Sequence, residues 1–260
     1  MALFPIMYRL WAKCRKNKAD AWENDHPRAF FACGKQRSAG DAVYRRAIAA
    51  EAAARSGNRS DKQEGAATFV WDMKSLYEKF CHGKMKQRAH KHDFDPVITE
   101  VTLAAYKSAR FLVDSGGATT LAGYASSGMP AGCIFATTWV KIYCLDAFDS
   151  VTAEFLLLRL DAYIDDIASS ATGEHNSIID TLGEGSDALL AAIDVDLKCA
   201  LAADKCTVVA SDPVLARRLR ARLGENAGAA VDSTAWLGID YLSGAKTGGK
   251  KGPEQSERSG

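Results

Sequence analysis

The stretch RLDAYIDDIASSATG, residues 159 to 173, places two adjacent carboxylates, Asp165 and Asp166, inside a run that otherwise favours burial. Apolar FLLL before the pair and IASSA after it read as two short strands, and aspartate bonds its local backbone in turns, so the segment predicts a hairpin with both carboxylates at its tip. A second apolar run, AATFVW, reads as a strand ending at Asp72. Neighbouring strands would bring the three carboxylates to one sheet edge. Packed there without cations they would repel and partly neutralise one another. Mg²⁺ resolves that conflict, because it takes carboxylate oxygens together with substrate phosphates instead of an all-protein cage. Two such ions clamp the attacking and leaving oxygens of an in-line phosphoryl displacement, so the arrangement suits nucleotidyl transfer.

Charge is distributed in the same sense. Residues 1 to 110 carry 21 Lys and Arg against 12 Asp and Glu, whereas residues 111 to 243 carry 8 against 18. A basic front and an acidic rear fit a protein that holds a polyanion with one part and divalent cations with another. The seven cysteines form an odd set without a C-x-x-C pair and without a cleavable signal segment before them, which predicts reduced thiols and an intracellular protein, nucleus or cytoplasm left open. Cys81, His82, His90 and His92 lack zinc-ligand spacing and lie among Lys84, Lys86, Arg88 and Lys91, a basic face suited to solvent or to a phosphate backbone. Lys141 and Arg159 interrupt the two best apolar runs, so no membrane span is predicted.

Helices are predicted over 5 to 18, over the Ala-rich 41 to 55, and from a start near 95 to 97 marked by an Asp cluster and Pro96. SSGMPAGCIFATTWVKIYCLDAF is a Gly/Pro turn running into a long apolar helix. Residues 176 to 203 read as helical, KCTVVAS as a strand, PVLARRLRARLG as a basic helix ended by Gly224, and AWLGIDYL as a last strand. Residues 56 to 65 form a polar hinge, and the Gly-, Lys- and Ser-rich tail from 243 to 260 has nothing to bury and is expected to be disordered.

Taken in order, these segments resemble the reverse transcriptase domain of non-LTR (LINE-type) retrotransposons. ALFPIMYRLWAK resembles the family's first finger block, and GKQRSAGDAV its second, with Arg37, Ser38, Asp41 and Ala42 at the family's spacing. FVWDMKSLYEKF resembles the first catalytic block, with Asp72 as metal ligand and Tyr77 where the family keeps an aromatic ring that excludes a ribose 2′-OH. SGMPAGCIFATTW resembles the Gly-x-Pro-Gln-Gly block, AYIDDIA the Tyr-x-Asp-Asp block, LAADKCTVV the block with a phosphate-side lysine, here Lys205, and WLGIDY the primer grip. One such block is weak evidence; seven in the correct order are not coincidence.

The resemblance implies an α/β (α+β) fold, a right-hand polymerase palm of mainly antiparallel strands backed by helices with partial fingers. It implies fingers over 1 to 65, palm over 66 to 242 with a finger insertion at about 81 to 125, and no thumb. The implied reaction is RNA-directed DNA synthesis, with an RNA template, a DNA primer and a dNTP as partners. Two Mg²⁺, with Mn²⁺ as a substitute, would be held by Asp72, Asp165 and the backbone carbonyl of Met73, with Asp166 assisting. Lys205 would act as general acid toward the leaving pyrophosphate. Lys35 and Arg37 would meet the triphosphate, and Gly128, Pro130 and Gly132 would support template and nucleotide. Ala131 stands where the family has Gln, Phe135-Ala136 replaces the usual Ser-Pro, and Glu78 stands where many members have Asp. The expected lack of a thumb, together with Ala131, supports an alternative reading, a catalytically inactive retroelement remnant that still binds nucleic acid. An RNA-templated RNA polymerase is a further rival, whose palm usually shows Gly-Asp-Asp and lacks the ring at Tyr77.

Overall fold

The computed structural model describes residues 4–33, 37–57, 64–130, 132–224, 228–231, 233–236 and 239–242. Lys35, Ala131, most of the polar hinge and the tail from 243 lie outside the described residues.

The first helix, α1 (Ile6–Asp25), outlasts its expected end at 18 and buries Ala12, Ala19 and Trp22 along one stripe. Helix α2 (Ala39–Gly57) starts at a reciprocal cap, in which the Ser38 and Asp41 side chains each accept from the other's backbone N–H at 3.1 Å. After it comes β1 (Glu64–Lys74), a continuous apolar strand buried on both faces. A short helix α3 (Leu76–Lys79) leaves it, followed by α4 (His82–Lys91) and α5 (Pro96–Lys107), the latter capped by Asp95, whose carboxylate accepts from Ile98 N at 2.9 Å. A hairpin, β2 (Ala109–Val113) and β3 (Thr119–Tyr124), then stands apart from the main sheet.

Helix α6 (Ala136–Glu154) is buried nearly all round, as its apolar composition predicts. The expected hairpin follows as β4 (Arg159–Tyr163) and β5 (Asp166–Glu174). The helix predicted over 176 to 203 is shorter. It runs as α7 (His175–Ala191), loosens into a π-helical turn over Ala192–Asp196, and gives way to β6 (Ala200–Leu201), which pairs with the end of β1. Next come β7 (Thr207–Ala210) and α8 (Pro213–Leu223), whose first amides bond Asp212 and whose end is Gly224 at φ +61°. A two-residue strand β8 (Ala229–Ala230) lies parallel to β7, and the single last strand expected from AWLGIDYL is instead part of an antiparallel pair, β9 (Ser233–Trp236) with β10 (Ile239–Leu242).

The fold is therefore mixed α and β around a mainly antiparallel sheet of order β4-β5-β1-β7-β8, with β6 on the end of β1. Alternation along β1 divides the sheet's two faces. Phe69, Trp71 and Met73 point into the main core with α6 and α7, where Trp71 Nε1 donates to Ser169 Oγ at 3.0 Å. On the other face Val70, with Ala168 and Val209, packs under Ala42, Val43 and Ala47 of α2. Full burial of a side chain such as Phe69 contributes about 1.5–3 kcal/mol, so the sheet is held firmly from both sides where the carboxylates emerge. All seven cysteines are free thiols, and among the described residues no helix is long and apolar enough to cross a membrane.

Candidate active site

Asp72 and Asp166 are direct partners in the β1–β5 ladder, the last such pair of that ladder, and Asp166 is in turn the partner of Tyr163 on β4. Opposed residues of antiparallel strands share a face, with Cα atoms about 4.5–5.5 Å apart. Tyr163, Asp166 and Asp72 thus form one row across three strands. Asp165 occupies the second position of the two-residue hairpin loop, after Ile164 at φ +61°. A β-branched residue in that region is strained, at about 1–3 kcal/mol, and persists because its surroundings hold it. Ile164 packs on the main core, and Met73 N donates to the Asp165 carbonyl at 3.1 Å, tying the loop to β1.

The carboxylates carry more negative charge than their neighbours offset. Burial, then Asp165 and then Asp72, push the Asp166 carboxyl up to about 6, with Lys205 opposing the rise. Lys205 Nζ lies 2.8 Å from Asp72 Oδ2, and this hydrogen bond is the main reason its own ammonium is held above its ordinary value. The turn that carries Lys205 is docked through Ala202 N, which donates to the Asp72 carbonyl at 2.9 Å. Among the described residues no three His, Cys, Asp or Glu side chains gather tightly enough to enclose an ion alone. The donor set nevertheless fits Mg²⁺, which needs only one or two carboxylates and completes its shell with water and phosphate, and the mutual repulsion that raises the Asp166 carboxyl is the kind a divalent cation would offset.

Tyr77, on α3, is half-buried beside this row, and its hydroxyl is raised by burial and then by the charge of Asp165. Its backbone carbonyl accepts from Met129 N at 2.7 Å, and that of Phe80 from Gly128 N at 2.8 Å. The Gly128-Met129-Pro130 turn is clipped in this way to the segment that carries Tyr77, with His82 Nε2 2.8 Å from the Gly128 carbonyl. Gly128 has φ +87°, and a Cβ there would meet Tyr77 O at 3.2 Å and Glu78 Cα at 3.3 Å. Gly132, at φ +90°, faces open space, and Pro130 is half-buried.

Arg37 is turned into its own loop, where its Nη1 donates to the carbonyls of Arg28, at 2.6 Å, and Phe31. That loop lies along β4 through Ala32 N to Ala162 O at 2.9 Å and Ala162 N to Phe30 O at 2.7 Å, which brings Arg37 to the hairpin's side of the molecule. Arg37 lines a cleft of about 150 Å³ with Arg28, Phe31, Cys33 and Lys141. Each member of the basic set lies beside a carboxylate. Lys84 and Arg88 pair with Asp196, Lys91 with Asp146, and Lys86 with Glu100, so the two charge-biased parts of the chain partly satisfy each other.

Sequence reading missed the buried pair of Arg46 and Asp161, since an Arg-Arg pair in an Ala-rich helix signals only a solvated face.

No family model matches the chain, and no curated protein matches it in sequence. Solved structures do. Apo telomerase from Candida tropicalis, truncated from its C-terminal domain, superposes with a TM-score of 0.57 at 11% identity over 89% of this chain and 43% of its own. The untruncated apo enzyme gives 0.56 at 12% identity over 89% and 39%. The chain shares its fold with these telomerases. Telomerase from Candida albicans, in complex with a fragment of telomeric RNA, gives 0.53 at 11% identity over 89% and 37%. The chain spans less than half the length of each of these structures, and the likeness is one of fold.

Proposed function

We propose that this chain is the palm and partial fingers of an RNA-directed DNA polymerase of the non-LTR retrotransposon type. The observation that carries the reading is the row in which Asp72 faces Asp166 while Met73 N–H holds Asp165 beside them. In the proposed reaction the primer 3′-oxygen attacks the α-phosphorus of a dNTP opposite an RNA template, and the bond to pyrophosphate breaks. Asp72, Asp165 and the Met73 carbonyl, with Asp166 assisting, would hold two Mg²⁺ or Mn²⁺, which when bound supply stabilisation of the charge on the attacking and leaving oxygens.

The chain's own groups have distinct tasks. The exposed ammonium of Lys205 sits within reach of Asp72 and donates a proton to the departing pyrophosphate. Tyr77 presents its ring where the sugar of the incoming nucleotide would lie and excludes a 2′-OH. Arg37, on exchanging its loop carbonyls for phosphate oxygens, holds the triphosphate with its planar fork, assisted by Lys35. Gly128, Pro130 and Gly132 let the backbone approach template and nucleotide. In this reading residues 1 to 65 serve as fingers and 66 to 242 as palm with the insertion at 81 to 125. A nucleic-acid partner is supported by the telomerase of Candida albicans, which carries an RNA fragment.

The inactive-remnant reading is favoured by one feature, Ala131 in place of the family's Gln, which removes an amide from the nucleotide side. Primer extension on an RNA template with Mg²⁺ and dNTPs separates the two readings. Extension that vanishes in Asp165→Asn and Asp166→Asn supports the polymerase; no extension by the folded wild type supports the remnant. Comparing dNTPs with NTPs excludes or favours an RNA polymerase.

A further inference from the structure

Arg46 of α2 is 1% exposed and Asp161 of β4 is 2% exposed. Arg46 Nη2 donates to Asp161 Oδ2 and, at 3.0 Å, to the carbonyl of Ala168 on β5. Asp161 and Ala168 are themselves cross-strand partners, and Ala168 is also the partner of Val70 on β1. The contact therefore falls two residues along the same face from the row of Tyr163, Asp166 and Asp72. Arg159 adds a second cation, its Nε 3.5 Å from Asp161 Oδ2.

Burial of such a pair is weak evidence of stability, because a well-packed apolar pair of the same volume is often as stable or more so. What the ion pair adds is direction. The apolar contacts of α2 on this face include Ala42, Val43 and Ala47 packed with Val70, Ala168 and Val209, side chains whose attraction depends on area and little on orientation. A planar guanidinium that reaches a carboxylate on one strand and a carbonyl on the next fixes both the rotation of the helix and its position along its axis. At the N-terminal end of the same helix stand the Ser38–Asp41 cap and, before it, Arg37.

The geometry points to Arg46 and Asp161 as positioning residues that set the distance between the Arg37 loop and the carboxylate row, and so the fit of a dNTP triphosphate between them. This rests on the polymerase reading for its ligand, while the tie between α2 and the hairpin stands on the contacts alone.

The test compares the wild type with Arg46→Met/Asp161→Leu, which replaces the pair by apolar side chains of similar bulk, and with Arg46→Lys, which keeps the charge but loses the fork. The double variant is expected to melt within a few degrees of the wild type. Its amides at Asp41, Ala42 and Met73, which report on the helix start and the hairpin loop, are expected to exchange with solvent roughly tenfold faster. In primer extension its KM for dNTP is expected to rise roughly tenfold to a hundredfold, more than kcat falls, as misplacement of about an ångström does. Arg46→Lys is expected to fall between the two and carries the test if the double variant does not fold. Wild-type exchange rates with a wild-type KM in the altered proteins would overturn the inference. A wild type that extends no primer overturns the polymerase reading, and the exchange rates then decide the positioning role by themselves.

Discussion

Asp72 and Asp166 stand directly opposite each other at the end of the β1–β5 ladder, where two like charges on one face raise the cost of ionising both. In a solvated sheet edge such a pair would be a fault; here it is held by strands buried on both sides and joined by a third carboxylate on a strained loop.

Replacing one oxygen of these groups tests the chemistry without removing bulk. Asp165→Asn is expected to leave the fold intact and to lower primer extension about a thousandfold or more, since the lost charge stabilisation is worth several kcal/mol. Circular dichroism alongside extension assays checks both halves of that statement. Extension within tenfold of wild type would mean that Asp165 is an ordinary turn residue.

The Asp166 carboxyl, pushed up to about 6, also makes a statement about stability. Its folded value exceeds the unfolded one of about 3.9, so its contribution is present in full below about pH 4 and is lost as pH rises through about 6. Without divalent cations the difference in stability between Asp166→Asn and wild type should therefore grow in favour of the variant across that window. After allowance for its half-exposed setting it should reach about 1–2 kcal/mol by pH 7. Thermal melts at constant ionic strength measure it. Added Mg²⁺ should narrow the gap by stabilising the wild type, and parallel pH profiles for the two proteins would refute this account of the site.

Tyr77 offers a test of selectivity. Tyr77→Val removes the ring proposed to lie against the incoming sugar, and the ratio of kcat/KM for dNTP over NTP is expected to fall roughly tenfold or more, the scale that steric fit commands. Competition between the two nucleotides on one primed RNA gives the ratio. An unchanged ratio would assign Tyr77 to packing beside Phe80, whose ring centroid lies 6.5 Å away.

The two glycines of the Gly128–Gly132 turn should respond differently to the same change. Gly128→Ala meets both a left-handed φ and backbone atoms at 3.2–3.3 Å, and is expected to cost about 1–3 kcal/mol in urea denaturation. Gly132→Ala meets the φ penalty alone, about 1 kcal/mol, because open space surrounds it. Equal losses would show that contact with the Tyr77 segment does not shape this turn.

Read by itself, the sequence determined what is written within a few residues. Asp95 before Pro96, Asp212 before Pro213 and Gly224 after the last turn set helix ends because capping groups act on their own backbone. The apolar runs on either side of Asp165 and Asp166 marked the β4–β5 hairpin in the same local way, whereas β1 runs on past Asp72 to Lys74, where β6 pairs with it. Tertiary structure alone decided what depends on partners far along the chain. It placed Asp72 in register with Asp166, 94 residues away in number, loosened the helix after Ala191 so that β6 reaches β1, and split the last expected strand into a pair. It turned Arg37 onto its own loop and buried Arg46 on Asp161. The physical reason is that register and the solvation of a charge are set by which distant surfaces exclude water together, and no local pattern of residue types records that choice.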